Sequence, residues 1–239
     1  MPSAAGQTRS AVSHNWAGYA VTAKATATRF TSVSGTWAVP RGNCDSAHPG
    51  HTAVWVGIGG FKRGSRGLEQ AGTELDCGAD GRAQYSAWYE LLPAPAQAIR
   101  MTLHPGDSIR TTVTVRGKRV TIYLRNRTRG EVFRRTLRTS SPASSSAEWI
   151  VEAPSDCKFG RRCTQLPLSD FGTVSFRRAQ AVTASKRHGG IAYPRWSSTR
   201  LVLSQRAGGQ DSTQSAGARI ADPSALRSRG TAFSVSYKG

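Results

Sequence analysis

Two short segments place polar side chains where strand-like sequence normally has core residues. The first, Leu68 to Gly72, contains Gln70, and the second, Ala147 to Glu152, contains two glutamates. A glutamate can take a proton from water and later return it, while a glutamine amide offers a neutral donor to a developing oxyanion. A glutamine and a glutamate working as a pair are therefore suited to the hydrolysis of a peptide bond.

Spacing alone does not say which glutamate of the second segment would act. Glu148 and Glu152 are four residues apart, and on a strand this separation places both on the same face. For a single polar residue in a sheet, the common role is a hydrogen-bonded structural group. Both glutamates stay candidates at this point.

The surrounding sequence predicts an all-β protein. Short runs rich in Val, Thr, Ile, Phe, Tyr and Trp alternate with polar residues and are separated by Gly, Pro, Asn and Ser, whereas no amphipathic helix is evident. Ser108–Val115 and Arg119–Leu124 predict a hairpin, followed by a strand over Val132–Leu137. This meander indicates an antiparallel β-sandwich whose sheets share one core.

The chain has the size of one large β domain. It has 239 residues, of which 38% are hydrophobic, so we expect a single β-sandwich domain over residues 13–239 after a disordered segment, 1–12. Residues 140–146 are predicted to form a surface loop near the polar pair, and residues 207–230 to lie outside the core. No apolar run is long enough for a membrane helix.

The four cysteines favour disulfides over a zinc site, since they show neither Cys-x-x-Cys spacing nor nearby histidines at ligand spacing. Cys157 and Cys163 flank a short loop that a bridge could close, which leaves Cys44 for Cys77. Two bridges would indicate an oxidising compartment, and four reduced thiols are the alternative. His48 and His51 are expected in a surface loop beside Pro49 and Gly50, and no metal is expected.

The charge is strongly positive, with 33 Lys and Arg against 14 Asp and Glu and a formal net charge of +19. A nucleic-acid site normally clusters basic residues with exposed aromatic residues or on one helix. Here the basic residues of 116–138 alternate with Val, Ile, Leu, Thr and Phe. This pattern favours a solvated outer sheet face over a specific nucleic-acid site.

An ordered set of motifs resembles the eqolisin family of glutamic peptidases. The likeness runs from about residue 15 to residue 176, and it is specific because the motifs occur in the family's order: Asn15-Trp16-Ala17-Gly18, Trp55-Val56-Gly57-Ile58-Gly59-Gly60, Leu68 to Gly72, Ala87-Trp88-Tyr89-Glu90, Pro105-Gly106-Asp107-Ser108, Ala147 to Glu152 and Phe171-Gly172-Thr173-Val174.

The resemblance implies a secreted endopeptidase, active at acid pH, with an all-β fold that is an antiparallel double-sheet β-sandwich of the concanavalin-like jelly-roll type. It assigns the catalytic glutamine to Gln70 and selects Glu152 over Glu148 as the catalytic glutamate. Glu152 would serve as general base toward water and then as general acid toward the leaving amine. Gln70 would hold the water and the oxyanion, and its amide donor would favour the ionised form of Glu152.

The same resemblance places four residues, Trp55, Glu74, Trp88 and Glu90, at the substrate site. The two tryptophans could equally be core residues, because buried tryptophans are common in sandwiches. Tyr85 and Tyr89 are expected on the strand face opposite Trp88. We expect a monomer that acts on proteins or peptides without a cofactor.

Three other classes of function compete with this interpretation. A sandwich with several glutamates and tryptophans could be a glycoside hydrolase, or a carbohydrate- or polyanion-binding module that catalyses no reaction. The third class, peptidases with a serine, a cysteine or a metal, finds no support, because the sequence contains neither Gly-x-Ser-x-Gly nor His-Glu-x-x-His.

Overall fold

The fold is built almost wholly from strands. A computed structural model describes residues 8–24, 28–62, 64–65, 67–140, 142–158, 162–204 and 219–239. Within these ranges the single helical element is a 3₁₀ turn at Ser228–Gly230, and no helix is long and apolar enough to cross a membrane. The strands are β1 (Thr8–Ser13), β2 (Trp16–Ala23), β3 (Phe30–Ala38), β4 (Gly50–Gly59), β5 (Leu68–Cys77), β6 (Ala83–Leu91), β7 (Gln97–Ile99), β8 (Ser108–Arg116), β9 (Arg119–Asn126), β10 (Val132–Arg138), β11 (Ser146–Glu152), β12 (Ser155–Lys158), β13 (Arg162–Gln165), β14 (Thr173–Thr183), β15 (His188–Gly189), β16 (Trp196–Ser204), β17 (Arg219–Pro223) and β18 (Phe233–Tyr237).

The predicted hairpin and the antiparallel sandwich are confirmed. β8 and β9 pair in register around a turn in which Gly117 has φ of 56°, a conformation that glycine adopts at little cost. β10 then pairs with β9, as the sequence predicts. The main path of hydrogen-bonded strands is β10-β9-β8-β3-β14-β18-β17-β16-β2-β11-β4-β5-β6-β7, and it folds into two layers.

The first sheet contains β2, β4, β5, β6 and β11, and the second contains β3, β8, β9, β10 and the end of β14. Side chains from the two sheets meet in one large core. Two tryptophans bridge the layers by hydrogen bonds as well as by packing. The indole N–H of Trp37 donates to Thr73 Oγ1 at 3.0 Å, and that of Trp149 donates to the Ser34 carbonyl oxygen at 2.8 Å.

Two predictions about irregular segments need correction. Residues 8–12, expected to be disordered, belong to β1, which pairs in parallel with β16. Within 207–230, residues 219–223 form β17 between β16 and β18, and Ala221 is fully buried, so this part belongs to the core. Residues 207–218 of that segment lie outside the described residues. In both cases the segment becomes a strand because it pairs with strands that are distant in sequence. Local composition does not reveal such pairing.

The loop before β11 is shorter than the sequence suggests, since Ser146 already belongs to the strand and is fully buried. The bridge between Cys44 and Cys77 is confirmed. Cys163 is also disulfide-bonded, and Cys157 is its backbone partner across the β12–β13 hairpin. The side chain of Cys157 lies outside the described residues, so that pairing stays a prediction.

Candidate active site

Gln70 and Glu152 lie on one face of the first sheet. β4 runs between β11 and β5, and its register places Ala53 opposite Glu152 and Gly57 opposite Gln70. Because Ala53 and Gly57 are four residues apart, Glu152 and Gln70 point to the same side of the sheet. We call this outer surface of β2, β11, β4, β5 and β6 the site face.

The Glu152 carboxylate is held by two donors. Asn15, just before β2, donates its side-chain N–H to Oε1 at 3.0 Å, and the Trp55 indole N–H donates to Oε2 at 2.7 Å. Asn15 reaches this position because Trp16, the next residue, pairs directly with Glu152 across β2 and β11. Sequence reasoning had not given Asn15 a role, although it is part of the first motif.

The pKa of Glu152 is raised from 4.5 to about 7. Burial is the largest cause, because it disfavours the charged form. The N–H groups of Trp55, Trp16 and Asn15 work in the opposite direction, although Trp16 does not complete a hydrogen bond. The negative charge of Glu90 raises the pKa further. The carboxyl can therefore gain or lose a proton near neutral pH.

Gln70 is buried and interacts with Glu90 on the neighbouring strand. The two residues are directly opposite across β5 and β6, and Gln70 Nε2 donates to Glu90 Oε2 at 2.7 Å. Burial raises the pKa of Glu90, and this hydrogen bond lowers it. Gln70 Oε1 is buried and has no hydrogen-bond partner among the described residues. The amide therefore has a free acceptor for a water molecule or a substrate N–H.

Trp55 and Trp88 both belong to the site face. Each is directly opposite Gly72, on β4 and β6 respectively. Trp55 packs closely there, because a Cβ added at Gly72 would lie 2.7 Å from its Cβ and 2.1 Å from the Val54 carbonyl oxygen. The Trp55 ring is fully buried in a small cluster on this face, whereas Trp88 is half-buried beside that cluster. Tyr89, as predicted, packs on the opposite side in the main core.

The third candidate contact, Glu74, lies in a cluster with His51 and Asp76. His51 belongs to β4, so its predicted position in a loop is wrong, whereas the exposed His48 does lie in a loop. His51 Nδ1 lies 2.6 Å from Asp76 Oδ1, and the potential ligand atoms of all three residues lie within 4.8 Å of one another. This group could hold a cation. Sequence spacing did not reveal it because its members meet only through strand pairing.

Burial raises the pKa of Glu74 to about 7, and the nearby Asp76 adds to the effect. Glu148, the other glutamate of the second segment, has a different environment. It is fully buried opposite Gly57, and neither of its carboxyl oxygens has a hydrogen-bond partner among the described residues. Burial raises its pKa well above 4.5. A substrate on the surface reaches Glu152, which is only partly buried, more readily than Glu148.

Comparison with known proteins identifies the family. The profile of the peptidase A4 family matches residues 14–214, most of the chain. The chain belongs to the peptidase A4 family. No curated protein matches it closely enough to count as a relative. Membership makes the protein a peptide hydrolase of the glutamic peptidase class, with proteins or peptides as substrates.

Solved structures of peptidase A4 relatives have the same fold. Scytalido-glutamic peptidase, solved with a transition state analog inhibitor, is 25% identical with a TM-score of 0.74, and the alignment covers 94% of this chain and 98% of that one. SCP-B, an eqolisin-family peptidase in complex with the tripeptide Ala-Ile-His, is 23% identical with a TM-score of 0.73 over the same shares. Aspergilloglutamic peptidase from Aspergillus niger is 25% identical with a TM-score of 0.57, covering 79% of this chain and 99% of that one.

Proposed function

We propose that this protein is a secreted glutamic endopeptidase in which Gln70 and Glu152 act together on a bound peptide and a water molecule. One observation carries the proposal: both side chains project from the same sheet face, with a carboxyl that titrates near neutrality and an amide that has a free acceptor. Such a carboxyl is suited to act as a general base, the free amide oxygen can hold the attacking water, and the amide N–H is the donor for the oxyanion.

In the proposed reaction, ionised Glu152 removes a proton from water as the water oxygen attacks the scissile carbonyl carbon. The carbonyl electrons move to oxygen, and Gln70 Nε2 turns from Glu90 to donate a hydrogen bond to the resulting oxyanion. Protonated Glu152 then gives its proton to the amide nitrogen. The carbon–nitrogen bond breaks, which leaves a carboxyl product and an amine.

Asn15 and Trp55 position the base in this scheme. Two donors on different carboxylate oxygens restrict rotation of the Glu152 side chain, and the Trp55 ring itself is fixed by close packing over Gly72. Such preorganisation reduces the rearrangement needed during reaction. We propose that half-buried Trp88, with Glu74 and Glu90, contacts the substrate on either side of the scissile bond.

Activity at acid pH stays a prediction. The pKa of Glu152 allows this prediction to be stated in terms of kcat and kcat/KM. With a pKa of about 7, only about one Glu152 in a hundred would be ionised in the free enzyme at pH 5. We propose that bound substrate lowers this pKa by fixing the reacting water, which donates one hydrogen bond to Gln70 Oε1 and one to the Glu152 carboxylate and so favours the ionised form. The pH dependence of kcat, which reports the complex, should then begin at lower pH than that of kcat/KM, which reports the free enzyme.

Secretion is supported by the disulfides. The bridge between Cys44 and Cys77 joins residues 33 positions apart, and such bridges persist mainly in oxidising compartments. We propose that the enzyme works outside the cell as a monomer.

The decisive experiment measures newly formed amino termini from a denatured protein substrate between pH 3 and 8. We expect Gln70→Ala and Glu152→Gln each to lower the rate by at least about 100-fold. Gln97→Ala and Glu131→Gln are the matched controls, since they make the same kinds of change away from the site face and should retain full activity. Thermal unfolding would verify that every variant is folded.

The same variants separate the rival functions. A glycoside hydrolase would release sugar and would tolerate Gln70→Ala, because that chemistry needs two carboxyl groups and no amide. A non-catalytic module would form no new amino termini at any pH. Either result with folded protein would overturn the proposal.

A further inference from the structure

The second sheet carries a concentrated positive surface, away from the site face. Its strands β3, β8, β9, β10 and β14 contain nine arginines and no aspartate or glutamate. Alternation along the strands sends seven of these arginines to the outer surface, opposite the core. We call this surface the arginine face, and its arginines are Arg110, Arg116, Arg119, Arg125, Arg134, Arg138 and Arg177.

Strand register groups most of these arginines into two bands. In the first band, Arg119 pairs directly with Arg116 on one side and with Arg138 on the other. In the second, Arg110 pairs with Arg125 on one side and with Thr36 on the other, and Arg177 follows on β14 beyond Thr36. Like charges directly opposite each other destabilise a sheet. None of the seven arginines forms an ion pair with any described residue.

The surface between the bands is rich in hydroxyl groups. The bands are six residues apart along β8, or about 20 Å at the usual rise of a strand. Four half-buried side chains, Thr112, Thr114, Thr121 and Tyr123, line the space between them. Tyr123 is the one aromatic residue that the described strands of the second sheet direct to this face.

A cavity of about 450 Å³ adjoins the second band. Its lining includes Arg177, Arg178 and Arg227, together with several serine and threonine residues, and contains no carboxyl group. A bulge in β14 between Arg177 and Gln180 turns two successive arginines toward this cavity. Arg227 reaches it from the loop before β18 and donates to Ser234 Oγ at 2.8 Å. The cavity is therefore suited to an anionic group.

We infer that the arginine face binds a linear anionic polysaccharide, which would hold the peptidase on an acidic matrix while the site face stays open. The two bands would contact sulfate or carboxylate groups, the intervening hydroxyls would bond to sugar hydroxyls, and the cavity would take one further anionic group. Arginine is suited to this role because its fork can bond to both oxygens of such a group.

The composition of the face favours a polysaccharide over other polyanions. Single-stranded nucleic acids are bound mainly through stacking on exposed aromatic residues, and Tyr123 alone, half-buried, offers little stacking surface. Membrane surfaces are bound by apolar groups that insert beside the charges. On the described part of the arginine face, Val132 is the single large hydrophobic residue that is exposed.

Binding to heparin, used as a sulfated polysaccharide probe, tests the inference across a salt series. We compare the wild type with Arg116→Gln/Arg119→Gln/Arg138→Gln and with a matched triple variant, Arg9→Gln/Arg41→Gln/Arg100→Gln. The control removes the same charge from exposed positions elsewhere. The face variant should lose about one unit of salt dependence per arginine and bind at least about tenfold more weakly. The control should stay close to the wild type.

Three results would overturn the inference: no binding of heparin by the wild type, equal weakening of both triple variants, or tighter binding of duplex DNA or anionic vesicles than of heparin. The second result would mean that net charge alone attracts the polymer. Peptide cleavage by the face variant should be unchanged, because none of its three residues lies on the site face. The test therefore stands apart from the peptidase proposal.

Discussion

Glu152 is subject to opposing influences that can be separated by single substitutions. Burial and the charge of Glu90 favour its protonated form, while the donor at Trp55 favours the ionised form. The net result is a pKa of about 7. Since a general base must be ionised, each neighbour changes the pH at which the free enzyme becomes competent.

Substituting Trp55 and Glu90 should move the pH dependence of kcat/KM in opposite directions. In the wild type, we expect kcat/KM to rise with a midpoint near pH 7. Trp55→Phe removes a donor to the carboxylate, so the pKa of Glu152 and the midpoint should rise. Glu90→Gln removes a negative charge, so the midpoint should fall. Initial rates at low substrate concentration across pH 4 to 9 give the midpoints.

Glu131→Gln is the control for this experiment, because it removes a carboxyl group far from Glu152 in the fold and should leave the midpoint unchanged. A midpoint that stays at the same pH in both site variants would mean that another group controls activity. Movement of both variants in one direction would contradict the opposing influences assigned to Trp55 and Glu90.

At the scale of elements, β5 and β11 each bury a carboxyl group that the proposed reaction does not use. Glu69 accepts hydrogen bonds from the Ala143 N–H at 3.1 and 3.2 Å, and burial raises its pKa to about 7. Glu148 has no partner among the described residues, and burial raises its pKa well above 4.5. An ionised carboxylate at Glu148 would be costly, so these strands hold it in the neutral form.

Glu148→Gln should therefore stabilise the protein increasingly as pH rises. A raised folded-state pKa contributes stability that is fully present below about pH 4.5 and is lost as pH rises toward the folded-state value. A neutral amide avoids this loss. We expect little difference in the free energy of unfolding at pH 4 and a clear gain at pH 8, measured by urea unfolding. Glu131→Gln, which makes the same substitution outside these strands, is the control.

A constant difference between Glu148→Gln and the wild type at all pH values would show that Glu148 titrates as it does in the unfolded chain. Glu69→Gln offers a second check, since the amide oxygen can still accept from the Ala143 N–H. Its gain should appear between about pH 4.5 and 7.

The elements themselves were largely predictable, whereas their registers were not. Local alternation predicted β8, β9 and β10 and placed Glu148 on the same face as Glu152. It could not pair Gln70 with Glu90, because that contact depends on how β6 lies against β5. Register is set by the whole buried face, so it is not a local property.

The choice between the two glutamates shows the same limit. Both have the same alternation and similar neighbours in sequence, and only the motif order favoured Glu152. The structure separates them by environment: Glu152 meets two donors at the edge of the site face, and Glu148 lies beneath the surface without any among the described residues. That difference comes from Asn15 and Trp55, which are far from both glutamates in sequence.

At the scale of the whole molecule, acidic and basic residues are divided between the two sheets. The strands that form the site face, β2, β4, β5, β6 and β11, contain six acidic residues and no lysine or arginine. The second sheet has only arginines as charged residues. Although the net charge is +19, a substrate on these five strands meets carboxyl groups and no basic side chain of the strands themselves, so net charge alone is a poor guide to the potential at the site.

Repulsion between paired arginines on the second sheet should lower the free energy of unfolding, by an amount that depends on salt. Arg116→Gln/Arg119→Gln/Arg138→Gln removes two directly opposed arginine pairs, so at low ionic strength it should raise the free energy of unfolding by about 0.5 to 1 kcal/mol. Urea unfolding measures this without adding ions. In 1 M salt the gain should disappear, because charges are then screened beyond about 3 Å. The control Arg9→Gln/Arg41→Gln/Arg100→Gln removes no such pairs and should gain less. Equal gains in both triple variants would mean that total charge, rather than the register of the arginine face, sets the repulsion.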